Sequence, residues 1–145
     1  MLEASTNYSV GRGTDVPFEV IGADFIHARE LSEYLNARRI PGIRTYPIRF
    51  KPSASNFSGV AIEGVRFVVT DRESINAVRL GLEIGAALEK LYPGKISFET
   101  NRKLIGSEVT VRALQAGEDP RAVEKRFEAP LQEFLLMREK YLLYR

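Results

Sequence analysis

Between Glu3 and Glu19 the chain reads EASTNYSVGRGTDVPFE, a run of residue types suited to holding an anion. Gly11 and Gly13 flank Arg12. Both glycines can take positive φ and turn backbone N–H groups toward one point, while the arginine adds a planar fork that matches a carboxylate or phosphate. Asn7, Ser9, Thr14 and Asp15 favour turns and local side-chain-to-backbone bonds, so the segment presents groups instead of filling a core. The same residues also suit a satisfied turn whose Arg12 caps carbonyls elsewhere, and the GRGT motif alone does not separate the two. Glu3, Asp15 and Glu19 bring carboxylates near the motif, each with an ordinary role open to it at a loop or strand end. His27 is the single histidine and there is no cysteine, which excludes a multi-histidine metal site, a thiolate nucleophile, a zinc–thiolate site and a disulfide. No metal and no cofactor are expected.

The elements that must position this segment follow from hydrophobic period and punctuation. Phe18 to Ile21 predicts a short strand ended by Gly22, and Phe25 to Arg39 an amphipathic helix stopped by Pro41-Gly42. Ile43 to Phe50 has strand character, with Pro47 assigning it to an edge or a bulge. Lys51 to Gly59 is a loop rich in hydroxyls, read first as a plain connection and second as a ligand contact. Val60 to Thr70 carries the most continuous apolar run and predicts the central strand. Thr70 or Asp71 can cap the next helix, which runs to Tyr92 and carries Gly81 and Gly85 for a close approach to the sheet. Asp71 is assigned to capping in preference to catalysis.

Lys95 to Thr100 predicts a further strand, and Ser107 to Ala116 a helix stopped by Gly117. Asp119-Pro120 opens a last helix that Pro130 should kink, and the apolar tail Tyr141 to Tyr144 is expected to dock on the domain. The sum is an α+β fold: a small mixed sheet with helices packed on it and a C-terminal helical pair. The GRG motif neither follows a buried strand nor opens a long helix, so it is not a nucleotide fingerprint.

With 145 residues and 44% apolar content, one domain over 1–145 is expected, with residues 1–24 forming a cleft loop and first strand. Its 21 basic and 19 acidic side chains nearly balance, and no basic stripe exceeds the pair Arg38-Arg39, so nucleic acid binding has no support. No apolar run approaches the roughly 20 residues that span a bilayer, and no basic flank with an apolar run marks an export signal. A dense motif so soon after Met1 suggests part of a longer protein.

Taken together, the landmarks are recognisable. EASTNYSVGRGTDVPFEVIGA from Glu3, FKPSASNFSG from Phe50, EGVRFVVTDR from Glu63, GLEIGAALEKLYP from Gly81 and the closing YLLY at Tyr141 occur in order over nearly the whole chain. The sequence resembles the carboxy-terminal part of the NamZ-type exo-β-N-acetylmuramidase family, bacterial peptidoglycan glycosidases formerly classed as a domain of unknown function. It departs from the family pattern by one extra residue in Glu3 to Asn7, by Asp24 where many members have Pro, and by Phe127 where many have Trp.

The resemblance implies a two-domain enzyme that removes N-acetylmuramic acid from the non-reducing end of peptidoglycan fragments, in the periplasm or cell envelope. This chain would be the smaller domain, facing an amino-terminal Rossmann-like partner domain across the active-site cleft. Arg12, between Gly11 and Gly13, would take the lactyl carboxylate of muramic acid. Asn7, Ser9 and Thr14 would bind hydroxyl or acetamido groups, and Phe18 would pack on a sugar face. Glycoside hydrolysis usually needs two carboxyl groups. Glu3 is the candidate here, and at least one principal carboxylate is expected in the partner domain. A free-standing, non-catalytic carbohydrate- or anion-binding module is the alternative, while a purely structural domain would leave the polar opening without a purpose.

Overall fold

The computed structural model describes residues 2–144. In chain order the elements are β1 (Val20–Ala23), α1 (Ala28–Ala37), β2 (Ile43–Phe50), β3 (Ile62–Val69), α2 (Ala77–Leu91), α3 (Phe98–Ile105), α4 (Glu108–Gln115), α5 (Pro120–Lys125) and α6 (Glu128–Glu139). The fold is α+β. The strands form one sheet in the order β1-β3-β2, so the apolar strand occupies the centre as its composition requires. Both pairings are antiparallel, with Val20 opposite Arg66 and Ile43 opposite Val69. β1 and β2 run the same way but are not neighbours, so the sheet is not mixed.

The strand expected over Lys95 to Thr100 is also absent, and α3 begins at Phe98 within that span. The Ser97 hydroxyl accepts the Thr100 N–H at 3.2 Å and caps that helix, while Ile96 and Phe98 are buried. Local capping won over a three-residue alternation with no free strand to pair.

Pro47 sits on edge strand β2, where a missing N–H costs no ladder bond. The outward edge is also covered. Asn36 on α1 donates to the Thr45 carbonyl at 2.8 Å and accepts the Thr45 N–H at 2.9 Å, which satisfies the edge from the side. α1 lies against β2 and β3, its Leu31 and Leu35 meeting Ile43 and Val65 in one core that continues through Leu82, Leu88, Leu114 and Val123. The amino end of α1 has no side-chain cap of its own. Instead Glu63 on β3 accepts the Ala28 N–H at 3.1 Å, and the Tyr92 hydroxyl accepts the His27 N–H at 3.1 Å. Burial pushes the Tyr92 phenol up to about 12.

A buried carboxylate joins three helices. Glu83 on α2, 1% exposed, receives Arg38 Nε at 2.6 Å and Arg79 Nε at 3.2 Å. Arg38 also reaches Asp119 at 2.9 Å, the residue that caps α5, and Arg79 reaches Glu124 at 2.8 Å. The hydrogen bond from Arg38 is the main cause that holds the Asp119 carboxyl below its usual range.

Four further expectations are corrected. α2 starts at Ala77 with Asn76 as its cap, its Oδ1 accepting the Arg79 N–H at 2.9 Å. Asp71 instead closes a turn, accepting the Glu73 N–H at 3.0 Å and the Ser74 hydroxyl, because a short carboxylate competes for nearby donors. Gly81 makes no close approach to the sheet, since a Cβ there would meet nothing within 4 Å. The last helix is two. The break falls at Arg126–Phe127, and Pro130 lies in the first turn of α6, where its missing N–H has no helical partner to lose. The tail does not dock: Leu143 and Tyr144 are 91% and 88% exposed, and no residue of α6 is buried.

Candidate functional site

The opening segment is half frame and half display. Ser9 and Gly22 exchange both backbone bonds, at 2.8 and 3.0 Å, which adds a rung to the outer edge of β1. Tyr8 beside it is buried, with its ring edge-on to Phe25 at 5.3 Å. From that anchor the chain turns outward at Gly11 (φ 80°) and Gly13 (φ 77°), the Thr14 N–H closing on the Gly11 carbonyl at 3.1 Å. Both positions require glycine twice over. Besides the positive φ, a Cβ at Gly11 would lie 2.5 Å from Val20 Cγ2, and one at Gly13 would lie 2.3 Å from the Ala54 nitrogen.

The loop at 51–59 holds this segment in place. Ser53 donates its N–H and its hydroxyl to the Gly13 carbonyl, each at 2.9 Å, and Asn56 donates to the carbonyls of Ser5 and Tyr8, each at 2.8 Å. The Ser53 hydroxyl and the Asn56 amide therefore act on the opening loop, a role that neither a plain connection nor a ligand contact anticipated. Nothing in the spacing of SASNFSG signalled it.

Among the expected site residues, the structure engages three internally. Ser9 is buried and its hydroxyl accepts the Gly11 N–H at 3.2 Å. Asn7 donates to the Lys95 carbonyl at 2.6 Å, and Thr14 donates to the Gly11 carbonyl at 2.7 Å while accepting the Val16 N–H at 3.2 Å. Three others are brought together at the surface. Arg12 pairs with Glu3, and its guanidinium lies 4.9 Å from the centre of the Phe18 ring. Both contacts orient the fork and leave donors over, because one carboxylate oxygen uses only part of a guanidinium.

Phe18 is 59% exposed and has φ 65°, a conformation that bulky residues rarely adopt. Its N–H is held by the Val10 carbonyl at 2.8 Å, which fixes the ring outward. Beside it, a groove of about 790 Å³ runs between the upper half of β3 and α2. Phe18 and Glu3 stand on its lining together with Val68, Leu80 and Ile84, and Tyr46, Arg66 and Arg72 add polar groups. Glu19 pairs with its neighbour Arg66 on the same lining at 3.1 Å. Sequence reasoning missed Tyr46, Arg66 and Arg72. Each reads as an ordinary outward residue until the pairing register sets Tyr46 opposite Arg66.

Arg12 and Phe18 together can hold a carboxylate beside an apolar or sugar face. Glu3 sits in an exposed ion pair, without the apolar enclosure that a proton-donating carboxyl uses. Asp15 is exposed in the loop. Among the described residues no group of three or more His, Asp or Glu is placed to hold a metal ion, and no helix is long and apolar enough to cross a membrane.

The same chain can be set beside known proteins. It is 37% identical over 146 aligned residues to the peptidoglycan β-N-acetylmuramidase NamZ of Bacillus subtilis (strain 168), a match that covers 99% of this chain and 35% of that protein. It thus spans about a third of the relative's length. A crystal structure of a DUF1343 family protein from Bacteroides fragilis NCTC 9343 superposes with a TM-score of 0.73 at 21% identity, over 99% of this chain and 40% of that one. That likeness establishes the fold. Over residues 1–144 the sequence matches the family described as "Exo-beta-N-acetylmuramidase NamZ, C-terminal", and the chain belongs to that family.

Proposed function

We propose that this chain is the cleft-facing carboxy-terminal domain of an exo-β-N-acetylmuramidase that removes N-acetylmuramic acid from the non-reducing end of peptidoglycan fragments. The reaction would serve cell-wall recycling in the periplasm or cell envelope. The carrying observation is Arg12: a guanidinium on a glycine-flanked turn, oriented by Glu3 and Phe18, both of which line an apolar groove. Muramic acid differs from glucosamine by a lactyl ether bearing a carboxylate, which suits a planar two-point donor. Phe18 supplies the apolar face against which a sugar ring packs, and the glycines keep the turn low enough for both contacts. Recognition is the task of this domain. The proton transfers belong to an amino-terminal Rossmann-like domain of the same protein, since Glu3 is exposed and already paired.

A chromogenic N-acetylmuramide tests this division. The intact two-domain protein should release the chromophore and the 145-residue chain should not. Turnover by the chain alone, abolished by replacing Glu3, Asp15 or Glu19, would move the chemistry into this domain. An intact protein inert on every muramide would remove the glycosidase assignment itself.

A further inference from the structure

Two apolar hollows flank the outward ridge of α2, and they meet on it. The larger is the groove beside Phe18. The smaller, about 310 Å³, lies on the other side against Val78, Leu104 and Phe127. Ala77 and Gly81 line both, so the two form one belt across α2. Phe127 leads directly into α6, where Leu131, Phe134, Leu136 and Met137 are all exposed and no residue is buried. A 12-residue helix is marginal in water without a packed face.

Gly81 is the informative residue. A glycine inside a helix costs about 1 kcal/mol relative to alanine, and the usual compensation is another backbone lying close against it. A Cβ at Gly81 would meet nothing within 4 Å, so no described part of this chain uses the space. β3 contributes a second unmet edge. Phe67 donates to the Glu19 carbonyl at 2.8 Å, while the pairing with β1 ends at Val20 opposite Arg66. By strand alternation the backbone groups of Val69 point to the same side, where β1 has no residue to meet them.

We infer that this belt of groove, Gly81 ridge and α6 is the seat of the amino-terminal domain of the same protein, whose apolar surface covers α6 and approaches the α2 backbone at Gly81. The inference rests on the two-domain reading above. Two observations favour that occupant over a second copy of this chain or a membrane. The matched family is the carboxy-terminal one, and the relatives carry most of their length outside the matched part, 35% of one and 40% of the other being covered. In addition Leu2 and Glu3 line the larger hollow, so the amino end of the described residues lies at the belt.

Amide hydrogen exchange on the intact protein, wild type against Gly81→Gln, tests the seat. In the wild type, the amides of α6 and of α2 around Gly81 should exchange at least tenfold more slowly than in the 145-residue chain. Gly81→Gln should abolish that difference in the intact protein. In the chain alone the same substitution should leave the melting temperature unchanged or raised, because helix propensity improves and no neighbour is displaced. Fast exchange of α6 in the intact wild type overturns the inference, and so does protection that the substitution leaves untouched. Protection that appears only with a concentration-dependent dimer, or only on addition of anionic lipid vesicles, assigns the belt to those occupants and likewise overturns it. The muramide assay on the same samples separates the two proposals: protection without turnover keeps the seat and removes the glycosidase, whereas turnover with an unprotected α6 does the reverse.

Discussion

At the scale of single residues, Arg12 carries the testable chemistry. Its guanidinium is fixed by Glu3 on one side and by the Phe18 ring on the other, an arrangement that selects geometry as well as charge. Arg12→Lys keeps the charge and loses the fork. In the intact protein this should cost about 1.5 to 3 kcal/mol, the range for a charge-assisted hydrogen bond, or roughly 10- to 150-fold in kcat/KM on a muramide. The loss should shrink on a matched glucosaminide, which has no lactyl carboxylate to misplace. Equal losses on both substrates would assign Arg12 to holding the loop. The GRG motif made Arg12 and its two glycines legible in the sequence. Phe18 in a left-handed conformation and Asn56 as a clamp were not, because the first depends on how the loop folds back to the Val10 carbonyl and the second on contacts across 48 to 51 positions.

At the scale of elements, the helical layer is tied together by Glu83 as well as by apolar packing. A carboxylate that is 1% exposed is tolerable only while its guanidinium partners remain. Arg38→Leu should therefore destabilise the chain by about 3 kcal/mol, the lower end for one lost partner of a buried pair, because Arg79 stays in reach. The midpoint of urea unfolding reads the loss, and adding Glu83→Leu should recover part of it. An Arg38→Leu chain as stable as the wild type would show the cluster to be a solvated surface pair. This cluster also shows why elements are easier to foresee than their ties. The apolar run of β3, Pro47 on an edge strand and the Asp119-Pro120 helix start were each set by a few adjacent residues. The start of α2 was not: Asp71 and Asn76 offer equally good caps, and only the turn that Asp71 makes with Ser74 settles which one serves.

At the scale of the whole molecule, the chain divides into a core that ends at Phe127 and a helix that adds nothing to it. Val123 is fully buried and Phe127 packs against the core from its edge, whereas α6 and the tail expose Leu131, Phe134, Leu136 and Leu143. The apolar content of this terminus suggested docking on the domain, and the exposed Leu143 and Tyr144 show that it does not dock there. If α6 serves only as a seat, a chain ending after Phe127 should fold with a melting temperature within a few degrees of the full chain, since removing exposed side chains forfeits little buried area. Its far-ultraviolet dichroism should fall by about one helix, and it should stay monomeric at concentrations where the full chain self-associates through the exposed face. In the intact two-domain protein the same deletion should be severe, because the amino-terminal domain would then expose the surface that α6 covers. A drop of more than ten degrees in the isolated chain would instead make α6 part of this domain's own core, and the exposed face would need another explanation.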